Sequence, residues 1–393
     1  MEQRIFRSRI DALRREVMDA CGLDMLIAYS DDILSPGAVR YLTDFDMYAM
    51  YGLAIVPRRG DVVLAFGLHH SAYLIRVRQS AIADHYAGTY HPGELCAELL
   101  AESGGAVEPR VGVVGGAHMF NSIHQDIHSK LAGASFADVD GAFWNHYHAS
   151  VGTNGAAPNL RRSAVIARGA VAHALTAFES GQCSAPHIAA GATLAARRAG
   201  ADIMNRELVQ VLCAFGMPLP AELSPPAHPA LAAMPALPGN SAFAIEISPP
   251  YAGQRTVCGR TMLRAGAPEA DSRELRRAAD VHAGILGLMR PGATVAHILA
   301  EAQRLARAAG FGLPEADGLG SGIGLDMRQA PWLVPGNTST LASGMALAVR
   351  TRLGSPGGGA KLGTIHRSDT VLVAESAPEV LTASAVADES RHT

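Results

Sequence analysis

The segment WNHYHAS, Trp144 to Ser150, sets His146 and His148 two residues apart, the spacing by which one face of a strand offers two imidazoles to a metal ion. A protein metal site of that kind needs three or four donors. The sequence offers no third ligand nearby, so the pair reads as surface or interface histidines. SPGGGAK, Ser355 to Lys361, has glycines enough for a phosphate loop but not the strand-to-helix setting such a loop requires, and reads as a hairpin tip. The five cysteines, Cys21, Cys96, Cys183, Cys213 and Cys258, are odd in number and scattered, which fits neither a disulfide framework nor a zinc knuckle. Cys258 reads as a small buried apolar residue rather than a nucleophile.

Two domains are expected from 393 residues. Residues 1–152 alternate helix and strand signals. Ile5 to Cys21 carries apolar residues at helical spacing, LDMLIAY is a buried-strand run, and Leu53–Pro57 and Val62–Phe66 flank the turn PRRGD as a hairpin. PGELCAELLAES predicts a helix and Val111–Val114 a further strand, which together make an α/β domain with a mixed sheet. The polar stretch GTNGAAPN, Gly152 to Asn159, separates it from a second domain over residues 160–385. Residues 386–393 form a tail, and the chain looks frayed from Thr382. Residues 218–238 are too rich in proline for regular structure, and Thr370–Ala374 is the last expected strand.

The second domain contains its own repeat. Residues 168–201 and 277–311 each read as helix, glycine-containing break, Ser or Thr before a second helix, and a closing glycine. His187 matches His297, Arg197 matches Arg307 and Gly200 matches Gly310, all at an offset of 110. Two copies of a capped helix pair imply one domain with a pseudo-twofold axis rather than a solenoid.

Charge and hydropathy narrow the function. Lys and Arg number 33 against 36 Asp and Glu, a net charge of −3, with no dense basic block of the kind that counterion release on nucleic acid demands. The first twenty residues have no uninterrupted apolar region of a secretory signal, and no run reaches the roughly 18–20 apolar residues of a membrane span. A cytoplasmic, reduced protein is expected.

The order of these segments resembles the creatinase, aminopeptidase P and prolidase superfamily, whose C-terminal domain has the pita-bread fold. RIDALRREVMDACGLDMLIAY, AVRYLTDFD and GLAIVPRRGDVVL resemble its N-terminal domain. RPGATVAHILAEAQRLARAAGFG, GLGSGIGLDMRQAP, SGMALAVRTRL and HRSDTVLVAESAPEVLT follow in the family's order. The resemblance implies an α/β (α+β) protein, a small-molecule substrate and a homodimer, in which His69-His70 would face the second copy.

The resemblance also places five metal ligands, at Glu246, Val257, Ser321, Arg350 and Ser368 in this chain. Only Glu246 is a metal-binding type, and Arg350 puts a permanent positive charge where dications would sit. The His-Glu pair after the glycine motif is Arg328-Gln329. No metal and no other cofactor is expected, and peptidase activity is the least favoured reading. Creatinase, a metal-free relative, suggests His228 in LSPPAHPALAAMP as general acid and base, supported by Glu246. Arg260, Arg328 and Arg350, with Arg352, would line the former metal cavity as substrate-binding groups for an anion, or else point to solvent or pair with Asp326 and Asp369. Two readings follow. One is a metal-independent hydrolase cleaving a C–N bond of a small anionic nitrogen compound. The other is a non-catalytic homologue that binds a ligand or partner subunit.

Overall fold

The structure is a computed structural model and describes residues 2–31, 35–46, 50–67, 71–104, 108–151, 156–181, 184–202, 210–215, 242–264, 266–315, 318–354 and 364–383. Its contacts separate two units, one built from residues up to Tyr147 and one from His148 onward.

In the first unit the N-terminal amphipathic stretch forms helix α1 (Glu2–Leu13), which continues through a π-helical turn at Arg14–Met18. It stops at Gly22, whose φ of 64° a side chain would resist. The apolar runs become strands β1 (Met25–Asp31), β2 (Tyr51–Pro57), β3 (Val63–Phe66), β4 (His85–Gly88), β5 (Arg110–Val114) and β6 (Ser135–Asp138). They form one mixed sheet in the order β4-β3-β2-β1-β5-β6. The PRRGD turn closes an antiparallel hairpin with Ile55 opposite Val63. Helices α2 (Gly37–Thr43), α3 (Ser71–Ser80), α4 (Pro92–Glu102) and α5 (Asn121–Lys130) lie in the connections.

WNHYHAS, read from sequence as carrying surface or interface histidines, lies in helix α6 (Asp140–Ser150), and His146 and His148 are buried there at 7% and 0% exposure. At 3.6 residues per turn, residues two apart diverge by roughly 200°. His146 Nδ1 accordingly lies 2.8 Å from Glu16 Oε2, whereas His148 Nε2 donates to the carbonyl of Ala330 at 3.0 Å. The two imidazoles serve separate bonds and share no ligand.

The second unit opens with helices α7 (Ala156–Glu179) and α8 (Ala185–Arg198) and continues with strands β7 (Gln210–Phe215) and β8 (Ala242–Ser248). A small ribbon, β9 (Pro250–Tyr251) with β10 (Gln254–Arg255), leads to β11 (Cys258–Leu263). Helices α9 (Glu269–Leu286) and α10 (Val295–Ala308) come next. They are followed by β12 (Gly320–Gly322), β13 (Gln329–Leu333), β14 (Ala346–Gly354), β15 (Thr364–Leu372) and β16 (Glu379–Val380). The sheet order is β13-β12-β14-β15-β11-β8-β7, with β16 on β15. β15 begins six residues before the expected Thr370, because the polar stretch His366 to Asp369 is held by continuous pairing with β14 rather than by an apolar pattern.

The repeat is visible atom by atom. Ser184 Oγ accepts from the amide of His187 and Thr294 Oγ1 from that of His297, so the same side-chain cap opens α8 and α10. Gly200 and Gly310 close both helices at φ of 100° and 79°. One helix pair packs Phe178, Ile188 and Ala192 on Phe243, Ile245 and Ile247 of β8. The other packs Ile285, Ile298 and Ala302 on Leu347, Val349 and Val371 of β14 and β15. Strand alternation then dictates that the intervening residues point to the opposite face of the sheet, and they include Glu246, Ser368 and Arg350.

Candidate functional site

On that opposite face four strands bring one residue each into a row. Glu246 on β8 pairs with Gly259 on β11, Gly259 with Ser368 on β15, and Ser368 with Arg350 on β14. Gly259 is required here by close approach: a Cβ would overlap Ser368 Oγ and come within 2.9 Å of His366 Nε2 and 3.2 Å of Glu246 Cβ. The gap that glycine leaves is crossed by a charged cluster. Arg350 Nε donates to Glu246 Oε1 and Oε2, both at 3.1 Å, and His366 Nε2 donates to Oε2 at 3.0 Å.

Glu246 is 2% exposed and Arg350 6% exposed, so this ion pair lies out of water. Burial by itself pushes the Glu246 carboxyl up, but the Arg350 guanidinium and the His366 hydrogen bond outweigh it and hold the group well below the carboxylate range. Burial likewise lowers the His366 imidazole, which the Glu246 bond only partly offsets. The cluster is therefore an ionised glutamate bound by one permanent cation and one neutral imidazole. Such a carboxylate is a weak base and does not exchange protons near neutrality.

The helix-covered face holds a second network. Arg260 Nη2 donates to Asp369 Oδ1 at 3.0 Å and to the Thr382 carbonyl at 3.2 Å, and Arg260 Nη1 donates to the Ser368 carbonyl at 2.9 Å. His282 of α9 bridges Asp369 Oδ2 at 3.0 Å and Thr351 Oγ1 at 2.9 Å. Burial raises the Asp369 carboxyl, yet Arg260 and His282 bring it down to about 2. This corrects the expectation that Arg260 lines the former metal cavity. It is one residue from Gly259 on a strand, so the pleat sends it to the other face.

The expected arginines that do converge are Arg328, Arg350 and Arg352, which line one cleft with Ser321 and Trp332. The cleft, about 510 Å³ with the solvent space at its opening included, is also lined by Leu313, Pro314 and Val334 and has no acidic lining residue among those described. Arg350 spends Nε on Glu246, while its Nη1 and Nη2 are buried and meet no acceptor among the described residues.

His228 lies outside the described residues, as do His69, His70 and the segment Ser355 to Lys361. Two contributors escaped the sequence reading. His366 sits two residues before Ser368, a same-face spacing that could have suggested it. Trp332 is 41% exposed on the strand β13, at the end of the sheet order, and only the fold sets it beside the arginines.

A family model described as metallopeptidase family M24 matches residues 158–375, more than half of the chain. The chain belongs to metallopeptidase family M24. No curated protein matches it. The dipeptidase PepE from Mycobacterium ulcerans is 18% identical, with 98% of this chain and 97% of that one covered at a TM-score of 0.75. Prolidase from Pyrococcus furiosus is also 18% identical, with coverage of 94% and 99% and a TM-score of 0.71. The N-terminal domain of the FACT complex subunit SPT16 from Cicer arietinum is 14% identical, covering 98% and 95% at 0.70. These likenesses establish the two-domain pita-bread architecture over nearly the whole chain.

The family's name implies a metal centre, and the residues present do not fit one. Of the positions assigned to ligands, Val257, Ser321 and Ser368 lack a metal-binding group of adequate strength, and Arg350 is a cation held against Glu246. Glu246 and His366 are two donors, and no set of three His, Cys, Asp or Glu side chains converges among the described residues.

Proposed function

We propose that this M24 protein works without the family's metals and uses the cleft lined by Arg328, Arg350 and Arg352 to bind a small anionic ligand, as a binding protein rather than a peptidase. The observation that carries this reading is Arg350, a lining residue of the cleft at 6% exposure, whose Nη1 and Nη2 meet no acceptor among the described residues. A buried donor without an acceptor costs about 1–3 kcal/mol, more when charged, and an anion in the cleft would recover that cost. Planar guanidinium forks suit carboxylates in paired hydrogen bonds.

The binding reading is preferred to hydrolysis by Glu246 for a stated reason. A general base needs a pKa near the working pH, whereas Glu246 is held far below it and both its oxygens are occupied. A hydrolase reading would rest on His228, which is outside the described residues.

Two measurements test the proposal together: metal analysis of the purified protein, and thermal melting in sodium acetate against sodium chloride at equal ionic strength. The expected result is no stoichiometric metal, with a higher melting temperature in acetate that the Arg328→Gln variant loses. One or two equivalents of tightly held metal, lost in Glu246→Gln, would overturn it, as would melting that does not distinguish acetate from chloride.

A further inference from the structure

The lining of the cleft is two-sided, and this says more about its ligand than charge alone. The guanidinium groups of Arg328, Arg350 and Arg352 supply positive charge, while Leu313, Pro314, Val334 and the indole of Trp332 supply an apolar wall. Among the large apolar residues exposed in the described part of the chain, Trp332, at 41% exposure, stands in the arginine cleft. Aromatic side chains left open beside convergent polar groups mark sites for ligands with an apolar body.

We infer that the cleft takes a carboxylate carrying a flat apolar body, its head on Arg350 and Arg328 and its body on Trp332, Leu313, Pro314 and Val334. This rests on the anion reading above and adds the ligand's second half. A carboxylate is favoured over a phosphate by hydration, because the apolar lining residues Leu313, Pro314 and Val334 give a strongly hydrated tetrahedral dianion nothing in exchange for its lost water.

Titration calorimetry on the full chain with acetate, phenylacetate, phenylacetamide and inorganic phosphate tests the inference. Phenylacetate is expected to bind at least tenfold tighter than acetate, and phenylacetamide not to bind. Trp332→Ala should erase the affinity advantage of phenylacetate over acetate. Equal affinity for acetate and phenylacetate would overturn the inference while leaving anion binding standing. Phosphate binding tighter than either carboxylate would overturn the carboxylate class. If no anion binds, both readings fall together. Trp332→Phe, which keeps a flat ring, serves if the alanine variant does not fold, and it should retain most of the advantage.

Discussion

Arg350 Nε lies 3.1 Å from both carboxylate oxygens of Glu246, although the two residues are 104 positions apart and their strands are separated by two others. The pair places an internal cation against the one carboxylate retained at the family's ligand positions. Its energetic signature is asymmetric, because a buried charge left alone costs more than a buried pair contributes.

Arg350→Met is therefore expected to lose about 3–5 kcal/mol of stability, since it leaves Glu246 ionised and buried beside a neutral imidazole. The double variant Glu246→Leu with Arg350→Met should recover most of that loss. Urea unfolding of the singles and the double measures the coupling. Simple additivity would show that the two side chains do not depend on each other.

Gly259→Ala should destabilise the protein by about 1–3 kcal/mol, the usual cost of forcing an atom into a filled site. The added methyl would overlap Ser368 Oγ and press on His366 Nε2. Combining it with Ser368→Ala removes the first overlap but not the second, so the double variant should be less destabilised than the single. Thermal unfolding compares them.

Stability is expected to fall as pH drops below neutrality, in two stages. Burial lowers the His148 imidazole to about 4, and its Nε2–H donates to Ala330 while Nδ1 accepts from the Ala346 amide, an arrangement that requires the neutral ring. Between about pH 6.5 and 4 the unfolded chain binds a proton that the folded chain does not, so about 3 kcal/mol is lost as pH falls through that window. His282 and His366 act in the same direction. Asp369, brought down to about 2, and Glu246, lowered further, contribute stability above the unfolded carboxyl pKa values that is lost as pH falls from about 4 toward 2. A His148→Gln variant should flatten the upper stage alone. An unchanged slope in that variant would assign the upper stage to other groups.

The duplicated caps make a matched pair of predictions. Ser184→Ala and Thr294→Ala should each cost about 1 kcal/mol, because each removes the same acceptor from the same place in a helix. Chemical denaturation of both single variants checks the match. A loss confined to one of them would mean that the copies no longer share their local energetics.

Much of this architecture was readable from residue order. Helix starts and stops are local events, so Ser184 and Gly200, or Thr294 and Gly310, announce their helices through side-chain chemistry and backbone conformation within a few residues. The PRRGD hairpin and the buried run LDMLIAY are local in the same sense. The mismatch at Glu246, Val257, Ser321, Arg350 and Ser368 also needed only residue types, since a guanidinium cannot replace a metal-binding carboxylate wherever it points.

What the sequence could not determine was direction and partnership. Arg260 and Arg350 are the same residue type on strands that flank β15, but the pleat turns one to Asp369 beneath the helices and the other to Glu246 on the opposite face. His146 and His148 read as surface or interface histidines, and only the helix shows both buried and turned to different partners. Trp332 joined the arginines only when β13, β12 and β14 came side by side. Residue types at the positions the family resemblance assigns to metal ligands showed that only Glu246 among the five is of a metal-binding type. Register between distant strands decided which charges meet, because side chains about 100 positions apart become neighbours only once backbone hydrogen bonds align their strands.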